Sequence, residues 1–170
     1  MILKDYIRDI EGFPKPGITF RDITPLLADP EAVRYCVETF REALHGVRID
    51  KVVGVESRGF FFATLLAQEL HAGFVPVRKP GKLPFRTLKA TYELEYGSDT
   101  LEMHTDAIRP GEKVLIHDDV LATGGTAAAV CELVEKLGGE IVQCCFLAEL
   151  RFLNGRHKLP GREIYSLVQY

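Results

Sequence analysis

Apolar residues recur at two spacings along this chain, and the two spacings predict alternating strands and helices. Short apolar runs typical of buried strands occupy five segments: residues 51–55, 74–77, 113–117, 141–147 and 164–168. Apolar residues at helical spacing follow two of these runs, at residues 60–70 and 126–137. Strands that alternate with helices favour an α/β fold with a mostly parallel sheet flanked by helices.

The N-terminal segment also has helical spacing. One helix face in the first dozen residues would carry five apolar side chains, which predicts an amphipathic helix: Ile2, Leu3, Tyr6, Ile7 and Ile10. A Pro- and Gly-containing turn at residues 14–17 ends it. A second helix is predicted to begin with Asp29 as N-cap and Pro30 as its first residue, and to continue to about Leu44. We expect residues 1–28 to form a small N-terminal hood on a single domain of residues 1–170.

An antiparallel excursion interrupts the repeat of strands and helices. Residues 91–96 and 100–104 alternate polar and apolar side chains, and the Gly-Ser-Asp sequence between them predicts a β-hairpin. A hairpin between parallel strands is a candidate lid, which we place at about residues 80–105. Because this segment lies outside the parallel repeat, we expect few core contacts to fix it.

The composition bounds the class of protein. The 170 residues suit one domain with a substantial core, and 46% of them are apolar and 26% charged. Twenty-one basic and twenty-four acidic residues give a net charge of −3 and form no long basic block, so we expect no nucleic-acid partner. No apolar run is long enough to cross a bilayer, and the first residues lack the features of a signal peptide. We therefore expect a cytoplasmic protein without a membrane partner.

The cysteines and histidines show no metal-ligand spacing. Four cysteines, none in a CxxC pair, fall in predicted helices and in a predicted core strand: Cys36, Cys131, Cys144 and Cys145. We expect them to be buried and to act as small hydrophobic residues. The five histidines lack HExxH or similar spacing, so no structural metal site is predicted.

Residues 113–130 carry the most informative pattern. The apolar strand is followed by Asp118 and Asp119, by a small-residue loop at residues 122–126 and by a helix. Glycines let backbone N–H groups close around a phosphate, and the start of a helix adds a favourable dipole. The carboxylates would repel a phosphate and instead fit hydroxyl groups, so the two halves together suit a phosphorylated ribose. The alternative is a pair of solvated strand-end carboxylates or a helix N-cap. The segment lacks the glycine-lysine loop of ATPases and the GxGxxG of dinucleotide folds.

Two further polar segments follow predicted strands. Residues 56–59 lie at the carboxyl edge of the sheet, where open α/β folds bind ligands. Arg58 could hold a diphosphate through two parallel hydrogen bonds, whereas an ordinary loop capped by Ser57 is the alternative. A basic cluster precedes the candidate lid, and a solvated charged loop is the usual explanation of such a cluster: Arg78, Lys79 and Lys82.

Together these residues resemble the type I phosphoribosyltransferases. The apolar strand, the acidic pair and the Ala-Thr-Gly-Gly-Thr loop are similar to the family's signature for 5-phosphoribosyl 1-diphosphate (PRPP). Four more segments resemble, in the same order, the members of the family that act on adenine: residues 17–23, 55–60, 78–84 and 92–97. The similarity runs from about Phe13 to Leu150. The acidic-pair motif alone identifies only the superfamily.

The resemblance implies a purine-salvage transferase that converts adenine and PRPP to AMP and diphosphate. It implies Mg²⁺ bound mainly through PRPP and diphosphate, and a homodimer, because part of the family's basic charge reaches across a dimer interface. A transferase for hypoxanthine or guanine is the enzymatic alternative. A non-catalytic PRPP-sensing regulator is the other alternative, although it would want an appended DNA-binding domain for which this chain has no room.

The resemblance also implies a role for each motif. Asp118 and Asp119 would bind the ribose hydroxyls, and the 5-phosphate would be bound by Ala122, Thr123, Gly124, Gly125 and Thr126. The diphosphate would be bound by Glu56, Ser57, Arg58, Arg78, Lys79 and Lys82. Adenine would lie against Phe20, with Thr19 and Arg21 contributing mainly backbone groups. Glu95, which would approach the purine imidazole, and Arg58 are the catalytic candidates, and Tyr96 would help to close the lid.

Further residues also keep a second interpretation or depart from the family pattern. Phe20 could be a core aromatic residue, and Glu95 could be a polar hairpin residue. Glu56 stands where many relatives carry Asp, and Thr19 where some carry Val. His117 replaces a usually apolar residue before the acidic pair.

Overall fold

The computed structural model of the protein describes residues 1–94 and 97–170. In chain order its strands are β1 (Arg8–Glu11), β2 (Thr19–Asp22), β3 (Lys51–Val55), β4 (Gly73–Val77), β5 (Thr87–Glu93), β6 (Ser98–His104), β7 (Lys113–Leu121), β8 (Glu140–Glu149) and β9 (Ile164–Gln169). Its α-helices are α1 (Thr24–Leu27), α2 (Pro30–Ala43), α3 (Gly59–Glu69) and α4 (Gly125–Lys136). Short 3-10 helices cover Leu3–Tyr6, Arg151–Leu153 and Gly155–Lys158.

A five-stranded sheet in the order β4-β3-β7-β8-β9 forms the centre of the fold, and every neighbouring pair in it is parallel. Because helices cover both faces of this sheet, side chains on both faces of its strands are buried, which explains the continuous apolar sequences. In β7, Leu115 packs in a core shared with α2 and α3, while Val114 and Ile116 pack in a second core shared with α4. The predicted α/β fold is therefore confirmed.

Helix α2 begins at the residue that its sequence predicts. The Asp29 side chain caps α2 by accepting a hydrogen bond of 2.9 Å from the Ala32 amide, and Pro30 is the first helical residue. Phe40 of α2 and Phe62 of α3 then pack in one core. The four cysteines are buried, as expected, and none is in a disulfide. No helix in the described ranges is both long and apolar enough to cross a membrane.

The predicted helix in the first dozen residues is wrong. The chain forms a 3-10 turn at Leu3–Tyr6 and then strand β1, which pairs antiparallel with β2. Leu3 and Ile7 are buried, as the helical spacing suggested. An ion pair between Asp9 of β1 and Arg21 of β2 joins the two strands. Pairing with β2 satisfies the backbone of a segment that is too short for a stable isolated helix.

Strands β5 and β6 form the predicted hairpin and extend further than the sequence indicates. Ala90, Leu101 and Met103 are buried in the core beside α4. The expectation that few core contacts fix the segment is wrong for these strands, because alternation along them places one whole face against the core. Glu95 and Tyr96, which have predicted roles, lie outside the described residues.

Candidate active site

The acidic pair lies within β7. The sequence predicts this strand at residues 113–117, but it continues to Leu121 because β8 pairs with it along this length. Asp118 is partly buried and lies opposite Phe146 of β8, and only 6% of Asp119 is exposed. The interpretation of these two residues as solvated strand-end carboxylates is therefore wrong.

The loop between β3 and α3 packs directly on the acidic pair. A methyl group built on Gly59 would lie 2.8 Å from Asp118 Oδ1 and 3.2 Å from Asp118 Cα, so this close approach requires glycine. Arg58 Nε lies 2.7 Å from Asp119 Oδ2. Residues 56–59 and the end of β7, which are far apart in the sequence, thus form one site.

The two aspartates are unfavourable electrostatic neighbours. Burial raises the pKa of Asp118 well above its usual value, and repulsion from Asp119 raises it further. Burial also raises the pKa of Asp119, although Arg58 opposes the shift. Apart from that ion pair, the buried Asp119 Oδ2 has no hydrogen-bond donor among the described residues. The pair is therefore suited to accept hydrogen bonds from ligand hydroxyl groups, which stabilise a carboxylate without adding charge.

The loop between β7 and α4 forms a small cradle beside the acidic pair. Gly124 has a φ of +85°, a left-handed conformation that favours glycine, and it leads into Gly125, the first residue of α4. Backbone N–H groups at the start of this helix attract an anion. The loop residues Ala122, Thr123 and Gly124 line a cavity of about 60 Å³, which Asp118 and Thr126 of α4 also border.

Glu56 organises the basic cluster. Its carboxylate accepts hydrogen bonds from Arg78 Nε at 3.1 Å and from the Lys79 amide at 2.8 Å, and it pairs with Lys82. Burial opposes ionisation of Glu56, but these donors outweigh burial and hold its pKa below the usual range. The Lys79 ammonium pairs with Asp99 of β6. The cations predicted to bind a diphosphate are thus held by carboxylates of the protein itself.

The hood contributes an aromatic face. The Arg58 guanidinium lies 4.7 Å from the centre of the Phe20 ring, which brings β2 to the β3–α3 loop. Side chains alternate along a strand, so Arg21 points away from Phe20 and lies 3.8 Å from the centre of the Tyr170 ring. Thr19, which precedes Phe20 in β2, is exposed. Only Phe20 of these three therefore presents its side chain towards Arg58.

The acidic pair, the β3–α3 loop, the first turn of α4 and part of the basic cluster line one cavity of about 190 Å³: Val55, Glu56, Ser57, Arg58, Lys79, Tyr92, Leu101, Asp118, Asp119 and Thr126. This volume is below the roughly 300 Å³ at which typical ligand pockets begin. Tyr92 of β5 occupies part of the space, because Thr126 Oγ1 donates a hydrogen bond of 3.1 Å to its hydroxyl, which donates one of 3.3 Å to Asp99. Tyr92 therefore narrows the space beside the acidic pair.

Tyr92 and Asp99 are site residues that the sequence interpretation missed. Asp99 is assigned there to the hairpin turn, but it lies in β6 opposite Tyr92. The alternation of side chains along β5 could have identified Tyr92, because Tyr92 lies two residues after the buried Ala90 and so on the same, inward face of the strand. The predicted roles of Glu95 and Tyr96 concern residues outside the described ranges.

His117 takes no part in the cavity. It is completely buried and packs edge-on against Phe40 at 5.3 Å and Phe62 at 6.1 Å between ring centres. Burial lowers the pKa of His117 to about 3. The residue is therefore a neutral member of the core on the α2–α3 side of the sheet.

Comparisons with known proteins agree with this geometry. Residues 28–163 match the model of the phosphoribosyl transferase domain family. The adenine phosphoribosyltransferase of Christiangramia forsetii is 66% identical over 170 residues, which are 100% of this chain and 99% of the relative.

Solved structures give the same result. The crystal structure of adenine phosphoribosyltransferase from Thermoanaerobacter pseudethanolicus has a TM-score of 0.96 and 53% identity, and the match covers 99% of this chain and 98% of that one. The enzyme of Saccharomyces cerevisiae, complexed with an imino-altritol bisphosphate and adenine, has a TM-score of 0.93 and 46% identity over 97% of this chain and 96% of that one. This chain belongs to the phosphoribosyltransferases and, among them, to the adenine phosphoribosyltransferase family.

Proposed function

We propose that the protein transfers the 5-phosphoribosyl group of PRPP to adenine, producing AMP and releasing diphosphate. The position of Arg58 carries this proposal, because Arg58 lies between Asp119 at 2.7 Å and the Phe20 ring at 4.7 Å. A ribose bound to the acidic pair would therefore lie beside both the loop at residues 56–59, which would bind the diphosphate, and the Phe20 ring, which would stack on the purine. The relative from Saccharomyces cerevisiae, solved with a bisphosphate and adenine, supports a site for both ligands.

The side chains of the cavity would act by position and by charge. Asp118 and Asp119 accept hydrogen bonds from the ribose hydroxyls, and residues 122–126 bind the 5-phosphate. As the diphosphate departs, Arg58 and the basic cluster neutralise its developing charge, which is electrostatic stabilisation of the transition state. Holding the two substrates in one geometry removes much of the entropic cost of their reaction.

We propose that Mg²⁺ is held mainly by PRPP and diphosphate oxygens and by water, as this ion prefers. The described residues contain no group of three or more His, Cys, Asp or Glu side chains placed to hold a metal. The Asp119 Oδ2 atom, which has no donor beyond the Arg58 ion pair, fits a hydroxyl or a water of such a complex. When bound, the metal neutralises part of the diphosphate charge.

We assign lid closure to the β5–β6 hairpin. Tyr92, which lies in the cavity and shares hydrogen bonds with Thr126 and Asp99, is the side chain that would move when PRPP enters, while the inward face of the strands stays packed on the core. Closure after binding would exclude water from the reacting carbon. Family resemblance supports the roles of Glu95, which would approach the purine imidazole, and of Tyr96 in closing the lid.

We also propose a cytoplasmic homodimer. Helix α3 exposes Phe61, at 46% of its surface, and Leu65 one turn later, on a helix that begins directly after Arg58. An exposed apolar stripe of this kind supports a contact with a second subunit. The four unpaired cysteines support a reducing compartment.

The test combines the protein, PRPP and Mg²⁺ with adenine, hypoxanthine or guanine in separate reactions, and measures nucleotide and diphosphate. We expect AMP from adenine, with kcat/KM for the 6-oxo purines lower by about 10⁴, because a site that hydrogen-bonds the 6-amino group rejects analogues without it. Comparable kcat/KM for hypoxanthine or guanine would overturn the adenine assignment. PRPP binding without nucleotide from any purine would favour a PRPP sensor.

A further inference from the structure

The turn at residues 154–158 packs against the back of the β7–α4 loop. The Leu150 amide donates a hydrogen bond of 2.9 Å to the Leu121 carbonyl, which joins the ends of β8 and β7. A methyl group built on Gly155 would lie 2.4 Å from the Ala122 carbonyl oxygen, and one built on Gly124 would lie 2.2 Å from the Gly155 carbonyl oxygen. Neither contact leaves room for a side chain, so the two backbones fix each other directly.

An ion pair between the buried Glu149 and the partly exposed Arg156 anchors this turn to the sheet. Glu149, the last residue of β8, is 3% exposed and accepts two hydrogen bonds of 2.7 Å from Nε and Nη2 of Arg156. The paired guanidinium holds the pKa of Glu149 below its usual value. A bidentate pair with charged partners is strong and geometrically specific. The position of the turn relative to the β7–α4 loop is therefore defined on both sides.

Lys158 ends the turn beside the start of α4. A methyl group built on Gly125, the first residue of α4, would lie 3.8 Å from the Lys158 ammonium nitrogen. The neighbouring cations Arg156 and Arg162 each pair with a carboxylate, whereas Lys158 pairs with none in the described part of the chain. Among the described residues, an ammonium group without a carboxylate partner thus lies at the positive end of a helix, next to a loop whose N–H groups form an anion cradle.

We propose that Lys158 binds the phosphomonoester held by the β7–α4 loop, and that the Glu149–Arg156 pair positions the turn that presents it. This inference rests on the proposed function, since it assigns a further residue to the same phosphate site. A dianionic phosphate would add the partner that Lys158 lacks among the described residues. Lys158 is exposed, so it can reach the ligand without breaking a buried contact.

The first test compares Lys158→Met with Lys136→Met, a matched lysine at the opposite end of α4. Calorimetry gives the Kd of each protein for ribose 5-phosphate and for magnesium diphosphate. We expect Lys158→Met to raise the Kd for ribose 5-phosphate by about 3- to 10-fold, as for a solvent-accessible charge-assisted hydrogen bond. Its Kd for diphosphate should not change, and Lys158→Arg should restore most of the ribose 5-phosphate affinity.

Equal affinities of the two methionine variants for ribose 5-phosphate would overturn the role of Lys158. That result is distinguishable from failure of the proposed function, in which the wild-type protein itself would bind neither ribose 5-phosphate nor PRPP.

A double-mutant cycle tests the positioning role. Glu149→Gln should weaken ribose 5-phosphate binding in the wild-type background and have little further effect in the Lys158→Met background, because both changes remove the same contact. A merely structural role of Glu149 would give equal losses in both backgrounds, and that outcome would overturn the positioning role.

Discussion

The acidic pair and Glu56 face the same cavity in opposite electrostatic surroundings. Asp118 and Asp119 are neighbours in β7, where burial raises the pKa of both and Arg58 only partly opposes the shift for Asp119. Glu56 lines the same cavity among cationic and amide donors, which hold its pKa low. The surroundings of the acidic pair compensate its negative charge only in part, whereas the surroundings of Glu56 compensate its charge fully.

This difference in electrostatic surroundings indicates which part of PRPP the acidic pair and the residues around Glu56 would each bind. The acidic pair gains stability from donors that carry no phosphate charge, such as the ribose hydroxyls. Glu56 instead holds the cations of the basic cluster at the position where they would bind a diphosphate. The acidic pair should therefore lower the stability of the fold in favour of binding, whereas Glu56 should contribute to stability.

The largest expected effect is on PRPP affinity when the acidic pair loses its charge. Asp118→Asn together with Asp119→Asn should raise the Kd for PRPP on the order of 100-fold, because hydrogen bonds to charged acceptors are worth about 1.5–3 kcal/mol each. Calorimetry measures the Kd, and circular dichroism checks that the fold is intact. Wild-type affinity in the folded double variant would remove the ribose assignment.

A smaller effect of opposite sign is expected on stability. Asp118→Asn should increase the free energy of unfolding at pH 7 by on the order of 1 kcal/mol, because it removes a carboxylate whose ionised form is disfavoured in the fold. The pKa of Asp118 is raised in the folded state, so the gain should be complete above that pKa, shrink as the pH falls through it, and vanish below about pH 4. Urea unfolding at several pH values measures this, and a loss of stability at pH 7 would contradict it.

Glu56→Gln should give a smaller stability change in the other direction. The free energy of unfolding at pH 7 should fall by about 0.5–1 kcal/mol, a modest value because the partners Arg78 and Lys82 are 35% and 48% exposed. The pKa of Glu56 is lowered in the folded state, so its contribution is present above the unfolded value and is lost as the pH falls through the folded one. A difference between variant and wild type that persists unchanged at acidic pH would contradict this account.

His117 provides the smallest effect, because it should not titrate in the physiological range. Its pKa of about 3 predicts a neutral ring from pH 5 to 8, although it directly precedes Asp118. The pH dependence of the His117 ring signals in nuclear magnetic resonance measures its charge state. A His117→Gln variant assigns these signals and separates them from those of the exposed His45 and His71. A His117 transition in that range would make His117 a second source of pH dependence beside the acidic pair.

Much of this fold could be predicted from the sequence, because parallel strands buried on both faces need continuous apolar runs. The N-terminal segment could not, since the spacing of Leu3 and Ile7 suits both a helix and a turn followed by a strand. The decision depends on pairing with β2, which is a tertiary contact. The length of β7 likewise depends on its pairing with β8.

The site divides in the same way. The acidic pair and the glycine loop are contiguous in the chain, so their chemistry could be predicted from local order. The contact of Arg58 with Asp119, the filling of the cavity by Tyr92 and the contact of Gly155 with the glycine loop each join residues far apart in the sequence. No local pattern encodes such distances, and only the folded chain brings these groups together.

The most direct test separates the two halves of PRPP. Ribose 5-phosphate and magnesium diphosphate are titrated by calorimetry into the Asp118→Asn, Asp119→Asn variant and into an Arg78→Gln, Lys82→Gln variant. The account predicts that the first variant loses affinity for ribose 5-phosphate and keeps it for diphosphate, and that the second shows the reverse. Equal losses for both ligands in both variants would contradict the division of the site into a hydroxyl-binding acidic pair and a diphosphate-binding basic cluster.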